Sequence, residues 1–305
     1  MSGPVPTSAG WRLKLSIAAV AVSLLTVLWF AAAALGSKYG LWSWQFGLGK
    51  MTGNVNAGYG RYVLLVSALV SVAALAVAFI RFPRFKPAIV ALLATLITAY
   101  VGGRWLGFQM EALALPPIHD IQTDWSEPVR FSEALLAQRK DDDAANPVED
   151  EPVIPDSPGI EERWPGMGGR SVAEVQEEAE SERTVDGETV PPAYDREIEP
   201  LYFDQPVSDI AQMVLQLAEA RGWNIFSRPE TGEEVEETLM EATATTGWFG
   251  FKDDVAVRIR EVEGATRVDM RSISRVGLSD LGANARRVSA FMTELEDRAD
   301  GRLEP

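Results

Sequence analysis

The chain contains no cysteine, has a single histidine at position 119, and is poor in basic residues. Without cysteine, disulfides, thiolate catalysis and cysteine metal sites are excluded. Lys and Arg number 28 against 44 Asp and Glu, for a net charge of -16. Nucleic acids require a basic surface, so no nucleic-acid partner is expected. No metal site and no cofactor are predicted either.

The acidic excess is concentrated in one part of the chain. Residues 140–199 hold 19 acidic and 5 basic side chains, together with many prolines and few apolar residues. Such a composition buries too little apolar surface to offset the entropy lost on ordering. It predicts that residues 141–199 are an acidic disordered linker, with a short solvated helix possible at 171–183. A plain spacer is favoured over an acidic interaction tail.

Three long apolar stretches fill the first third of the sequence, at about 13–35, 62–80 and 87–106. Each approaches the roughly 20 residues that a helix needs to cross the hydrocarbon of a bilayer. A cleaved signal peptide is disfavoured because the first stretch exceeds the 7–15 residues of a signal core and two more follow it. Residues 1–110 are therefore predicted to form three transmembrane helices, followed by a juxtamembrane element at 111–140.

The basic residues near these stretches predict an orientation. On the side of the N-terminus lie Arg12, Lys14, Arg81, Arg84 and Lys86. On the other side, spread over a longer loop, lie Lys38, Lys50 and Arg61, with Arg104 near the end of the third span in addition. Because short cytoplasmic loops are enriched in Lys and Arg, the N-terminus is expected in the cytoplasm. The C-terminal domain is then expected in the periplasm, with the protein a multi-pass component of the inner membrane.

From residue 200 onward the hydrophobic pattern becomes regular. Helical spacing at 207–221 and 283–298 flanks four stretches typical of strands, at 223–228, 235–245, 254–261 and 266–276. Short connections between the strands favour an antiparallel sheet. Residues 200–305 are thus predicted to be a soluble α+β domain in the order α-β-β-β-β-α, with both helices packed on one face of the sheet.

Several motifs in this region resemble a known family. They are GFKDDV at 250–255, VDMRSISRVG at 268–277, the positions Asp280, Gly282, Asn284 and Arg287, and IHDIQTD at 118–124. These residues resemble the bacterial and plastid family catalogued as domain of unknown function 1499. The resemblance implies the fold and its boundaries, and members with three preceding membrane spans occur among alphaproteobacteria. It implies no activity, and the acidic linker is longer than the family leads us to expect.

The richest cluster of polar residues surrounds the last strand and the start of the last helix. Its members are Arg271, Ser272, Ser274, Arg275, Asp280, Asn284 and Arg287. Arginines beside a helix N-terminus are typical of an anion site, which would suit a lipid phosphate or a carboxylate. The alternative is that nearby acids pair with these arginines and fix the strand–helix junction. The acids concerned are Asp253, Asp254, Asp269 and Asp280.

Secondary candidates are His119, Asp120, Lys252, Asp253 and Asp254. Adjacent His119 and Asp120 do not suit a Ser-His-Asp triad, in which the acid orients the ring from across space. They are interpreted as a polar junction at the membrane surface or as a docking point for the C-terminal domain. The aromatic residues Trp248, Phe249 and Phe251 are predicted to be hairpin core rather than a ligand-facing or membrane-facing patch.

Three functional hypotheses follow from these features. The favoured one is a membrane-anchored, non-enzymatic binding or assembly module of the cell envelope, recognising an anionic group through the arginine cluster. That group would belong to a membrane lipid or to a membrane-protein partner. The second hypothesis is an accessory subunit of a membrane protein complex. The third is an enzyme acting on an anionic envelope substrate, with Asp280 or a carboxylate in the run 252–254 as base.

Overall fold

A computed structural model describes residues 9–80, 84–185, 188–194, 198–232 and 234–302 of the chain. It divides into two compact units. The first holds residues 1–111 together with Gly247–Gly250, and the second holds residues 112–246 and 251–305. Each unit is described by itself.

The first unit contains three long apolar helices, α1 (Ala9–Lys38), α2 (Gly60–Phe79) and α3 (Phe85–Ala114), and a π-helix, Gln45–Thr52. All three α-helices are long and apolar enough to cross a membrane. Helix α3 continues eight residues beyond the predicted span, and two of its polar side chains donate to backbone carbonyls at the end of the π-helix. The Trp105 indole donates to the Thr52 carbonyl at 3.3 Å, and the Gln109 amide donates to the Gly53 carbonyl at 3.2 Å.

The three helices meet through small residues and hydroxyl groups. The buried alanines at the contact are Ala19, Ala74, Ala91 and Ala94. The Thr98 hydroxyl lies 2.9 Å from the Ser23 hydroxyl and 2.8 Å from the Ser67 hydroxyl. Because membrane helices gain little from hydrophobic burial against each other, small residues and interhelical hydrogen bonds stabilise such contacts.

The second unit is an α+β domain. Its first half contains β1 (Asp120–Gln122), α4 (Glu133–Asp141), α5 (Pro158–Arg163), α6 (Val172–Glu180), β2 (Arg183–Val185) and β3 (Glu188–Val190). Its second half contains β4 (Leu201–Phe203), α7 (Val207–Ala220), β5 (Asn224–Ser227), β6 (Glu237–Thr245), β7 (Lys252–Val262), β8 (Ala265–Ser274) and α8 (Ala283–Ala299). The predicted fold class and the order α-β-β-β-β-α are confirmed by α7 to α8.

The main sheet is antiparallel, in the order β1-β8-β7-β6-β5. One side of β8 pairs with β7, while the other is shared by two short strands, β1 at residues 271–273 and β4 at residues 266–268. The turn between β7 and β8 is made by Glu263 and Gly264, whose φ angles are 53° and 88°. Two residues with positive φ match the twist of a tight hairpin, which fixes the register of these strands.

Helices α7 and α8 cover one face of the sheet. On α7 the buried stripe comprises Val207, Ile210, Ala211, Val214, Leu217 and Ala218. It belongs to the same core as Val255, Val257 and Ile259 of β7 and Val268 and Met270 of β8. Side chains three and four apart share one helix face, and alternate residues share one strand face, so each pattern buries a continuous apolar surface.

The opposite face of the sheet is covered in part by α4. Leu135 of this helix is buried with Val129, Phe131, Ala256 and Ile273 in a second, smaller core. Ser132 caps the helix by accepting a hydrogen bond from the Leu135 backbone N–H at 3.2 Å. The Ser132 hydroxyl in turn donates to the carboxylate of Glu241 in β6 at 2.7 Å, which connects the start of α4 to the sheet.

The prediction of a disordered linker at 141–199 is wrong for the described residues of that segment. Helices α5 and α6 lie within it and belong to the main core. The buried residues they and their flanks contribute are Ile154, Ile160, Trp164, Val172, Val175, Ala179, Tyr194 and Ile198. These apolar residues are few, but all eight are buried. Each fully buried aliphatic side chain contributes about 1.5–3 kcal/mol, so a sparse set suffices to order an acidic segment.

The prediction of hairpin core for the aromatic residues after β6 is wrong for Trp248. Its side chain is 65% exposed, whereas Phe249 and Phe251 are half-buried. The difference arises because Trp248 occupies the turn between β6 and β7, beyond the last paired residues, Thr245 and Lys252. Side chains in such a turn extend past the sheet and its covering helices.

Candidate functional site

Strand β8 separates the predicted site residues onto two faces of the sheet. Ser272 and Ser274 point toward α8, and Arg271 and Arg275 point toward α4, as alternation predicts. Asp280, Asn284 and Arg287 lie at or near the start of α8. The structure therefore brings five of the seven residues together and places Arg271 and Arg275 on the other face.

Arg271 is enclosed on the α4 face and pairs with Asp120 of β1. The guanidinium forms a bidentate contact, with Nε to Oδ1 at 3.0 Å and Nη2 to Oδ2 at 2.5 Å. Its remaining N–H groups donate to the carbonyls of Val129 at 3.1 Å and Glu149 at 2.6 Å. Both charged side chains are 0% exposed. Because the guanidinium is fully buried and donates to these partners inside the domain, it has no access to an external anion.

Arg275 is also committed to partners on the α4 face. It forms a bidentate contact with Asp254, with both distances 2.8 Å, and it bonds to Asp142. Asp254 is shared with Arg139 of α4 and accepts from the Thr243 hydroxyl at 2.8 Å. This network ties the end of α4 to β7 and β8. The Arg275 side chain is only 4% exposed.

The residues on the α8 face form one hydrogen-bonded chain, called here the α8 cluster: Ser272, Ser274, Asn284, Arg287 and Asp253. The Ser272 hydroxyl donates to Asn284 Oδ1 at 2.7 Å, and Asn284 Nδ2 donates to the Ser274 hydroxyl at 2.9 Å. Arg287 donates to the Ser272 hydroxyl at 2.9 Å and to Asp253 at 2.5 Å. The Arg287 side chain is 13% exposed, more than either arginine on the opposite face.

Asp280 lies just before α8 and binds the backbone at the start of that helix. Its two carboxylate oxygens accept hydrogen bonds from the backbone N–H groups of Gly282 and Asn284, each at 2.8 Å. Burial raises the pKa of Asp280 to about 6 even though these two N–H groups favour the charged form. A perturbed carboxylate is typical of catalytic sites, but here both oxygens are used to start a helix.

His119 lies where the chain enters the sheet. Its carbonyl accepts from the Ser274 backbone N–H and from Asn284 Nδ2, each at 2.9 Å. Burial lowers the pKa of the imidazole, opposed by neighbouring Asp120, and Nδ1 is buried without a hydrogen-bond partner. The interpretation of His119 and Asp120 as a polar junction at the membrane surface or a docking point stays a prediction. Both residues join the segment after α3 to β8.

The remaining acids and Lys252 also form ion pairs within the domain. Asp124 pairs with Arg267 at 2.6 Å, and Asp269 also pairs with Arg267, at 2.8 Å. Lys252 is half exposed and contacts Asp142 at 3.1 Å. Within the described ranges, no group of three His, Asp or Glu side chains is arranged to hold a metal ion.

Of the four acids expected to pair with the arginines of the cluster, two do so, whereas Asp269 pairs with Arg267 and Asp280 accepts from backbone N–H groups. Pairing of Asp253 and Asp254 with nearby arginines is present as the alternative to an anion site expected. Sequence reasoning missed two further partners, Asp120 and Asp142. Asp120 lies in the IHDIQTD motif, but nothing in the sequence connects it to a residue 151 positions later.

Fold and site together define a membrane protein in which an antiparallel α+β domain follows three apolar helices. A family model described as "Protein of unknown function (DUF1499)" matches residues 120–295, more than half of the chain. The protein belongs to this family, and the resemblance noted from the sequence is confirmed. The match begins at β1 and runs through the segment that sequence composition assigned to a linker. A search of the curated proteins finds no match.

Proposed function

We propose that this protein is a membrane-anchored, non-enzymatic binding or assembly module of the cell envelope. The observation that carries the proposal is the direct attachment of the domain to the third apolar helix. Leu115 and Ile118, immediately after α3, are buried in the main core of the domain. A connection this short keeps the domain close to the membrane in which the three helices lie, which suits recognition of a partner held in the same membrane.

The internal pairing of the polar residues also supports a binding role over an enzymatic one. Arg271 and Arg275 are enclosed by carboxylates, and Asp280 is held by backbone N–H groups. A general base must reach the proton it removes, and arginine supplies no base at neutral pH. These groups stabilise the junction of β1, β7, β8 and α8.

Recognition of an anionic group is proposed for Arg287 rather than for the whole arginine cluster. Of the three predicted arginines, its side chain is the most exposed, at 13%. It lies in the first turns of α8, where the helix dipole adds to the positive charge. The expected ligand is an anionic lipid headgroup or an acidic group of a membrane protein, replacing or sharing the contact with Asp253.

The test is mass spectrometry of the full-length protein purified in mild detergent, comparing wild type, Arg287→Gln and Asp253→Asn. Both substitutions break the same ion pair, but only the first removes the guanidinium. We expect an anionic lipid or acidic protein to remain bound to wild type and Asp253→Asn and to be lost from Arg287→Gln. Equal retention by all three proteins, or an empty wild type, would contradict the proposal.

We further propose that the protein spans the inner membrane with a cytoplasmic N-terminus and a periplasmic domain. The support is the distribution of Lys and Arg beside the three spans. Since the chain has no cysteine, single cysteines at exposed Ser43 and Arg302 can be labelled in intact cells with a membrane-impermeant thiol reagent. Both positions lie on the predicted periplasmic side, so labelling of both is expected, and protection of Arg302→Cys would overturn this orientation.

A further inference from the structure

The sheet has one end at which the chain arrives from the third apolar helix, called here the proximal end. Across the sheet, Asp120 pairs with Ile273, Ile273 with Asp254, and Asp254 with Thr243. This row of four residues contains the first residue of β1. It therefore marks the proximal end on each of the four strands.

The turn between β6 and β7 extends beyond this row at the same end. Thr245 and Lys252 are the last paired residues, two positions past Thr243 and Asp254. The Thr246 N–H then donates to the Phe251 carbonyl at 2.8 Å. The four residues Gly247–Gly250 form the tip, which carries the exposed Trp248.

A second exposed apolar residue lies at the proximal end. Leu278 follows β8 and is 45% exposed. Its neighbour Ser279 donates from its hydroxyl to the Pro116 carbonyl at 3.0 Å, and Asp280 donates from its backbone N–H to the Ile118 carbonyl at 3.1 Å. Leu278 therefore lies beside the segment that connects the domain to α3.

Chain lengths bound the distance from this end to the last residue of α3. Helix α3 has 30 residues, which at 1.5 Å per residue is about 45 Å, the thickness of a bilayer with its headgroup regions. Only five residues separate Ala114, the last of α3, from Asp120. Six extended peptide steps cover at most about 20 Å. Asp120, the first residue of β1, is consequently within about 20 Å of Ala114, the last residue of α3.

From these observations we propose that the Gly247–Gly250 tip is a membrane contact, with the Trp248 indole inserted among the lipid headgroups. Tryptophan is enriched at membrane–water interfaces because its ring is apolar and its N–H stays hydrated. The tip is neither deep in the sheet nor part of the α8 cluster. The inference is therefore independent of the anion recognition proposed for Arg287.

The chain offers a matched control at the other end of the sheet. Tyr202 of β4 is 58% exposed, similar to Trp248, and β4 pairs with residues 266–268 of β8, far from the row of Asp120. The absence of cysteine from the sequence permits single nitroxide labels at Trp248→Cys and Tyr202→Cys. Both positions are exposed, so the fold is expected to survive, which unchanged circular dichroism and thermal unfolding would verify.

The experiment measures collisions of each label with oxygen and with a water-soluble nickel chelate. The full-length protein is reconstituted in vesicles of phosphatidylcholine and phosphatidylglycerol. We expect the oxygen-to-nickel ratio to be several-fold higher at position 248 than at 202, because oxygen concentrates in the bilayer and the chelate is excluded. Equal ratios would overturn the proposal, and so would a label at 248 shielded from both reagents, which would indicate a protein contact. Trp248→Phe provides a second measurement, since it should reduce quenching of tryptophan emission by brominated lipids.

Discussion

The side chain of Gln176 takes the place of a neighbouring strand for Gln122. The side-chain amide nitrogen of Gln176, Nε2, donates to the Gln122 carbonyl at 2.9 Å, and the amide oxygen, Oε1, accepts from the Gln122 backbone N–H at 3.3 Å. The same oxygen accepts from the Trp125 indole at 2.9 Å. An unpaired edge strand exposes backbone groups that can bind other chains, so helix α6 closes the free edge of β1.

Replacing Gln176 with Ala should therefore destabilise the domain. The buried N–H and carbonyl of Gln122 and the indole N–H of Trp125 would each lose a partner. Leaving a buried polar group unsatisfied costs about 1–3 kcal/mol. Urea unfolding of the full-length protein in detergent, followed by tryptophan fluorescence, measures this loss. Glu177→Ala changes an exposed neighbour on the same helix and should shift the midpoint little. Equal effects of the two substitutions would contradict the capping role.

The bidentate pair of Asp120 and Arg271 predicts a much larger cost for its disruption. Asp120→Asn would leave a fully buried guanidinium without its counter-charge, and breaking such a pair costs about 3–5 kcal/mol. The matched control is Asp150→Asn, because Asp150 pairs with Arg130 at 2.6 Å but the two side chains are 48% and 78% exposed. An exposed pair contributes about 0–1 kcal/mol. Thermal unfolding of both variants should separate them clearly, and similar shifts would refute the ranking.

Asp280 makes stability depend on pH between about 4 and 6. Its pKa is about 6 in the folded domain, above the ordinary value of 3.8, so the folded state holds a proton that the unfolded state releases in this range. Stability from this group is then fully present below the unfolded pKa and falls as pH rises to 6, by up to about 3 kcal/mol. Urea midpoints at pH 4, 5, 6 and 7 should show this fall in wild type relative to Asp280→Asn. Parallel profiles for the two proteins would exclude it.

The hydroxyl cluster among the three apolar helices should also contribute to stability. Thr98→Val keeps the shape of the side chain but removes the hydroxyl that contacts Ser23 and Ser67. Interhelical hydrogen bonds in membranes are worth about 0.5–2 kcal/mol. Thr95→Val is the control, since the Thr95 hydroxyl donates only to the Ala91 carbonyl of its own helix. Unfolding in mixed micelles with increasing sodium dodecyl sulfate should give a lower midpoint for Thr98→Val alone.

Local patterns were sufficient to predict much of the C-terminal half of the chain. Alternation in β7 and β8, the helical stripe of α7 and the Glu263-Gly264 turn each depend on neighbouring residues. The prediction of disorder for residues 141–199 was wrong because the order of this segment depends on contacts with residues distant in the sequence. Trp164, for example, donates to the Leu115 carbonyl at 2.9 Å, a contact that composition averaged over a window does not indicate.

The sequence was sufficient to predict which face of the sheet each site residue occupies, but not which carboxylate each arginine pairs with. Alternation correctly placed Ser272 and Ser274 opposite Arg271 and Arg275. The identity of each ionic partner depends on which strand lies beside β8, and the prediction that the domain begins at residue 200 left β1 out. Including β1 would have brought Asp120 next to Arg271.

The position of β1 has a consequence for the order of events during synthesis. This strand leaves the ribosome immediately after the third apolar helix, yet its partner residues in β8 follow some 150 positions later. The hairpins of β5 to β8 depend on local closure and can form quickly, whereas the β1 pairing requires a long loop to close. Asp120 therefore lacks its partner Arg271 for about half of the chain's synthesis, and the pairing of β1 forms late.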